Sequence, residues 1–178
     1  MVHVGKFELL TKHIPTFEGN DFGEWFVDKE NDGSMEHPIQ FPYVIYSEKI
    51  NDFEADVYKF IDAHPEMELT QYGKIIEDNG IDMGEVKQAD VSDLNAACVC
   101  AMIVANIRAE RFCDGAILSS CEDGTLLKWL NKLKSCDEKK PLDEVIKEIE
   151  ENKKSSSSTS SNKKPQRKLE KSKISDGR

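Results

Sequence analysis

The chain has 178 residues, 24 basic and 34 acidic, for a net charge of −10, which allows one hydrophobic core with appendages rather than several domains. The charge is unevenly spread: residues 1–151 hold 15 basic and 32 acidic side chains (−17), and residues 152–178 hold nine and two (+7). An acidic body repels nucleic acid unless it imitates it, and no stretch approaches the ~20 apolar residues of a membrane span. The five cysteines, odd in number and with no visible export signal before them, point to reduced thiols in the cytoplasm.

Phe7, Leu10 and Ile14 are spaced three and four apart, which predicts a short amphipathic helix ending before Pro15. Residues 18–40 are rich in Gly, Asp, Asn and Glu without a period, and read as a long irregular loop anchored by Trp25, Phe26 and Val27. The β-branched and aromatic run Phe41–Tyr46 is a short strand, with Pro42 confining it to a strand start or an edge. Phe53, Val57, Phe60 and Ile61 mark a helix capped by Asn51 or Asp52 and stopped by Pro65. Leu69, Tyr72, Ile75 and Ile76 mark another, closed by Asn79–Gly80.

The stretch from Asp90 to Gly115 dominates the chain. Leu94, Cys98, Ala101, Ala105 and Phe112 fall on one stripe at 100° per residue, with Val99, Ile103 and Ile107 nearly opposite. A helix apolar almost all round belongs in the middle of a core, here over 92–113, with Asp90 or Ser92 as its cap and Gly115 ending it in the left-handed conformation. A short helical turn, AILSSC, follows. Asp123–Gly124 breaks it, and Thr125 caps a helix carrying Leu126, Trp129, Leu130 and Leu133. Pro141 opens a last helix with Leu142, Val145, Ile146 and Ile149 on one stripe. The Ser/Lys-rich remainder cannot bury enough apolar surface to offset ordering entropy. The expected architecture is mainly α: one helical bundle around the 92–113 helix with at most a short strand pair near 41–47. By residue, that is a domain over 1–136, an amphipathic helix over 137–151 and a disordered basic tail over 152–178.

The wording IRAERFCDG followed by GTLLKWLNKL resembles a family of small bacterial domains of unknown function. Its signature is an Arg-x-Glu-Arg-Phe-x-x-Gly segment ending an alanine-rich helix, matched here by Arg108, Glu110, Arg111, Phe112 and Gly115. IPTFE (Ile14–Glu18) and VIYSEKINDF (Val44–Phe53) belong to the same likeness, which covers roughly residues 7–135. The resemblance implies a bacterial setting and a compact helical domain, and carries no activity.

Arg108, Glu110 and Arg111 are the candidate ligand-binding residues. Arg108 projects within the Leu94–Phe112 stripe, an unusual position for a charge that cannot be shed. With Arg111 three residues on, two guanidiniums can hold a carboxylate or phosphate in bidentate fashion. The competing role, and the one expected here, is structural: ion pairs with acids from 52–56 or 66–68 that pin the helices together, helped by the dipole of the helix C-terminus. Glu110 projects away from Arg108. Cys98 and Cys100 point about 200° apart and cannot share a metal. The remaining thiols and four histidines lack zinc spacing, so no metal is expected. Cys113, just past the arginines, is the thiol best placed to be activated by positive charge. No phosphate-cradling glycine loop or hydrolase motif occurs, and no cofactor is expected.

Three functions follow. The leading one is a non-enzymatic module binding a protein or a small anionic ligand. The second is a small hydrolase using Arg108 and Arg111 to stabilise anionic charge, although the sequence supplies no proton-moving group beside them. The third is an acidic mimic of nucleic acid that occupies a DNA- or RNA-binding protein. No membrane partner is expected, and nucleic acid only through the basic tail.

Overall fold

The computed structural model describes residues 5–138. The helix expected after Pro141 and the Ser/Lys-rich tail lie outside the described residues. Nine elements follow in order: α1 Glu8–Thr11, α2 Ile14–Phe17, β1 Gly23–Phe26, β2 Tyr43–Tyr46, α3 Glu48–Ala63, α4 Tyr72–Asp78, α5 Ala96–Ala109, α6 Ala116–Glu122 and α7 Thr125–Glu138, with 3-10 turns between some of them. The fold is mainly α, a single helical domain with one short antiparallel sheet, as the periodicities predict.

At the centre is α5. Nine of its residues, Cys98 to Val104 together with Asn106 and Ile107, are buried, and it packs against α4, α6 and α7. A helix enclosed on that many sides has no solvent face to mark with charge, which is why its sequence is apolar all round. It is shorter than the expected 92–113 at both ends. Asp90 accepts hydrogen bonds from the Ser92 N–H (2.9 Å) and hydroxyl (2.7 Å) and closes a turn of its own. The cap is Asn95, whose Oδ1 accepts from the Cys98 N–H at 2.8 Å. At the other end the helix stops at Ala109, so the stripe drawn through Phe112 does not continue. Phe112 stands 92% exposed.

Other boundaries moved for equally local reasons. The helix expected over 7–14 is split, because Pro15 takes the first turn of a separate helix, where a missing N–H costs nothing. Ser47, not Asn51 or Asp52, caps α3 by accepting from the Ile50 N–H, adding a turn before Phe53. The Thr125 N–H donates to Asp123 Oδ1 at 2.9 Å, so Asp123 supplies the oxygen expected of Thr125. The strand partner of Tyr43–Tyr46 comes from the stretch read as irregular loop: Gly23 pairs with Tyr46 and Phe26 with Tyr43. Beyond β1 the chain is indeed irregular. It is organised by Asp28, whose two oxygens accept from the backbone of Glu30, Asn31 and Gln40 and from the Asn31 amide.

The N-terminal helices are tied to α3 by a polar cluster. Asp56, 5% exposed, accepts from Lys12 Nζ at 2.7 Å, His13 Nε2 at 2.9 Å and Lys59 Nζ at 2.8 Å. Burial pushes its carboxyl up, but the hydrogen bonds from Lys12, Lys59 and His13 together hold it well below the usual carboxylate range. At the far end of the chain, the Phe7 N–H donates to Asp137 on α7 at 3.0 Å.

Candidate functional site

The segment leaving α5 separates the three candidate residues. Glu110 turns towards α6. Its Oε1 accepts from the Gly115 N–H at 2.8 Å and its Oε2 from the Ile117 N–H at 2.9 Å. These are orphan donors at the start of a helix, where a carboxylate is favoured by charge as well as by hydrogen bonding. The Tyr46 hydroxyl, from β2, lies beside Glu110 and accepts from the Leu118 N–H at 3.3 Å. Burial first, then the neighbouring Glu110 carboxylate, pushes the Tyr46 hydroxyl far above the usual phenol range. Glu110 is therefore occupied with locking β2, α5 and α6 together. Gly115, in the left-handed region at φ +85°, completes the turn; a Cβ there would lie 2.5 Å from Trp25 Cζ2.

Arg108 and Arg111 face α3 and α4 instead. The Arg108 guanidinium lies over the Tyr72 ring, 5.6 Å from its centroid. Its Nε is buried without a hydrogen-bond partner. Arg111 is exposed and donates to the Tyr58 hydroxyl at 3.3 Å. Among the described residues no carboxylate lies within ion-pair distance of either guanidinium. This corrects the expected role as structural ion pairs with the 52–56 and 66–68 segments. Asp56 is committed to Lys12, His13 and Lys59, and Glu66 to Lys6. Glu54 is the acid that feels this region: burial and the Glu110 charge raise its carboxyl, and the Arg111 charge opposes them.

A concavity elsewhere went unseen in the sequence. Trp25, Lys87, Ala105, Asn106, Ala109 and Trp129 are among the residues enclosing a cavity of about 580 Å³ on another side of α5. Nothing in the spacing of these residues joins them, because they come from β1, the 83–87 turn, α5 and α7. The only available signal was a lone Asn within an apolar helix. Cys113 stands exposed at this cavity, whose lining includes neither arginine. Cys98, Cys100 and Cys121 are buried, and burial pushes the Cys121 thiol up to about 12. Among the described residues no group of three His, Cys, Asp or Glu side chains is arranged to hold a metal, and no helix is long and apolar enough to cross a membrane.

A protein-family model described as a family of unknown function (DUF6508) matches residues 4–139, nearly the span of the likeness seen in the sequence. No curated protein and no solved structure matches the chain.

Proposed function

The chain therefore belongs to this family of unknown function, and from its own geometry we propose a non-enzymatic module that binds a small anionic ligand, a carboxylate or phosphate, on the Arg108–Arg111 face. The observation that carries the reading is Arg108. Its half-buried guanidinium has an unpartnered Nε, and no acid among the described residues offsets it. An arginine cannot neutralise itself by losing a proton, and a buried donor without an acceptor costs about 1–3 kcal/mol. An anion bridging the Arg108 and Arg111 guanidiniums supplies the counter-charge that they lack. Tyr72 and Tyr58 hold the two forks in place beforehand, so less side-chain entropy is lost on binding. The bacterial cytoplasm expected from the resemblance and the cysteine usage is the setting we propose.

Thermal unfolding with phosphate, sulfate and succinate tests this. A ligand at 100 times its Kd stabilises the native state by ~2.7 kcal/mol, a rise of several degrees in a domain of this size. In Arg108→Met the shift should vanish. The variant itself should lose only the contact with Tyr72, about 0.5–1 kcal/mol, since it abandons no acid. A loss of ~3–5 kcal/mol in Arg108→Met would restore the ion-pair role, and an anion shift that survives in both Arg108→Met and Arg111→Met would remove the site.

One observation favours the hydrolase alternative: Glu54, whose carboxyl is raised by burial, lies within the influence of Arg111 and could move a proton beside the arginines. Turnover of p-nitrophenyl phosphate or acetate that disappears in Glu54→Gln would select it.

A further inference from the structure

The cavity beside α5 is walled in part by large apolar side chains that water still reaches. Trp25 and Met83, 48% and 40% exposed, both stand in its wall. The benzo side of the Trp25 ring lies over Gly115, where an added Cβ would come within 2.5 Å of Cζ2. That contact seats the ring at the cavity while leaving about half of the residue open. From α5, Ala105 and Ala109 contribute only methyl groups one turn apart, so the space between the helix and the tryptophan stays unfilled. Its volume of about 580 Å³ lies within the range of small-molecule sites.

The charges narrow the ligand. Among the described residues the wall carries two ionic side chains, Lys87 and Asp114. The Lys87 ammonium is already matched, 2.8 Å from Asp123 and 3.0 Å from the Ser119 hydroxyl. Asp114 is exposed and has no cation within ion-pair distance among the described residues. The same holds for Asp82 and Glu85, which flank Met83 and Gly84 in the chain. The wall is left with a negative excess, in a chain whose residues 1–151 hold 15 basic and 32 acidic side chains. Such a field repels anions and concentrates cations. An open indole face attracts the same sign of charge through its quadrupole, tryptophan more than any other side chain. A primary ammonium brings three donors, and Asp114 is the only carboxylate in the wall among the described residues. A quaternary ammonium has no N–H to satisfy, so an aromatic face and the field suffice to hold it. We infer that this cavity binds a small organic cation, a quaternary ammonium on an apolar body. The charge lies over Trp25 beside Asp114, and the apolar body rests on Met83 and the α5 alanines, where a thioether adapts its shape to the ligand. The site is opposite in charge to the Arg108 face and stands independently of it.

The full chain is titrated calorimetrically, at constant ionic strength, with benzyltrimethylammonium, choline and neohexanol, the uncharged carbon isostere of choline. Benzyltrimethylammonium should saturate with a Kd of about 1 mM or tighter, a modest efficiency for its size. Choline should bind about threefold or more tighter than neohexanol, the difference being the charge on the indole. Trp25→Leu keeps apolar bulk but removes the aromatic face, and should weaken benzyltrimethylammonium about tenfold, with Trp25→Phe recovering part of the loss. Asp114→Asn, at an exposed position, should weaken both cations by about two- to fivefold and leave neohexanol unchanged. Ala109→Leu fills the cavity from a partly exposed position, and should abolish binding while the helical spectrum stays intact. Arg108→Met should bind as the parent does, which separates this site from the anion face. The inference is overturned by no saturable binding of either cation, or by neohexanol binding as tightly as choline. It is also overturned by full cation binding in Ala109→Leu, or in both Trp25→Leu and Asp114→Asn, which would place the cation elsewhere on the acidic surface. Should Trp25→Leu fail to fold, the choline and neohexanol pair, Asp114→Asn and Ala109→Leu decide the matter.

Discussion

Removing the Glu110 carboxylate should destabilise the domain more than any change at the neighbouring arginines. Glu110→Ala abandons the N–H groups of Gly115 and Ile117, bound at 2.8 and 2.9 Å, and removes the carboxylate beside the Tyr46 hydroxyl. Hydrogen bonds to a charged group contribute ~1.5–3 kcal/mol each. Water reaches a half-buried side chain in the variant and recovers part of that, so about 2–4 kcal/mol is expected for the whole substitution. Glu110→Gln keeps the shape but turns one oxygen into an NH2 group facing a backbone N–H, and should still lose ~1–3 kcal/mol. Urea unfolding followed by far-UV circular dichroism is the assay. With an m-value of ~1–3 kcal/mol/M, the midpoint in Glu110→Ala should fall by about 1–2 M. A double-mutant cycle with Tyr46→Phe should show coupling of about 0.5 kcal/mol or more. A Glu110→Ala loss under ~0.5 kcal/mol, or a Glu110→Gln protein as stable as the parent, would refute the locking role and return Glu110 to the pool of ligand-binding candidates.

Gly115→Ala places a Cβ in the left-handed region at φ +85° and 2.5 Å from Trp25 Cζ2; the backbone alone costs about 1–2 kcal/mol, and a shifted tryptophan emission maximum should accompany the lower melting temperature. The Asp56 carboxyl is depressed by its folded environment, so its contribution is present above the unfolded carboxylate pKa and lost as pH falls through the folded value. Asp56→Asn should therefore cost about 3 kcal/mol at pH 7, the low end for a broken buried pair because both lysines reach water, and should flatten the acid limb of stability below about pH 4. An acid limb as steep as the parent's would show that other carboxylates dominate it.

Much of the helical framework could be read from the chain because it depends on short-range periodicity. The Leu126–Trp129–Leu130–Leu133 spacing is α7, and a stretch apolar on every face is the central α5. The left-handed conformation of Gly115 was legible too, because only glycine adopts it without strain, but it precedes α6 instead of ending the central helix, which stops at Ala109. The N-caps were misplaced where several Ser, Asp or Asn residues compete within a few positions. Asp90 spends its carboxylate on Ser92, and the competition falls to Asn95. β1 was hidden because a four-residue strand with an exposed face has too little period to detect, and its pairing with Tyr43–Tyr46 spans a long loop. The arginine pair was visible as an anomaly, but its partners were not. That Asp56 goes to Lys12, His13 and Lys59 rather than to Arg108, and that Glu110 turns to the start of α6, are decisions of packing between helices distant in sequence. The cavity beside Trp25 and Trp129 belongs wholly to the tertiary structure, since segments from β1 to α7 contribute its wall and no local pattern constrains their meeting. Local spacing determined which helices form; the competition of charged and polar groups for partners across those helices decided which side chains were left free to bind.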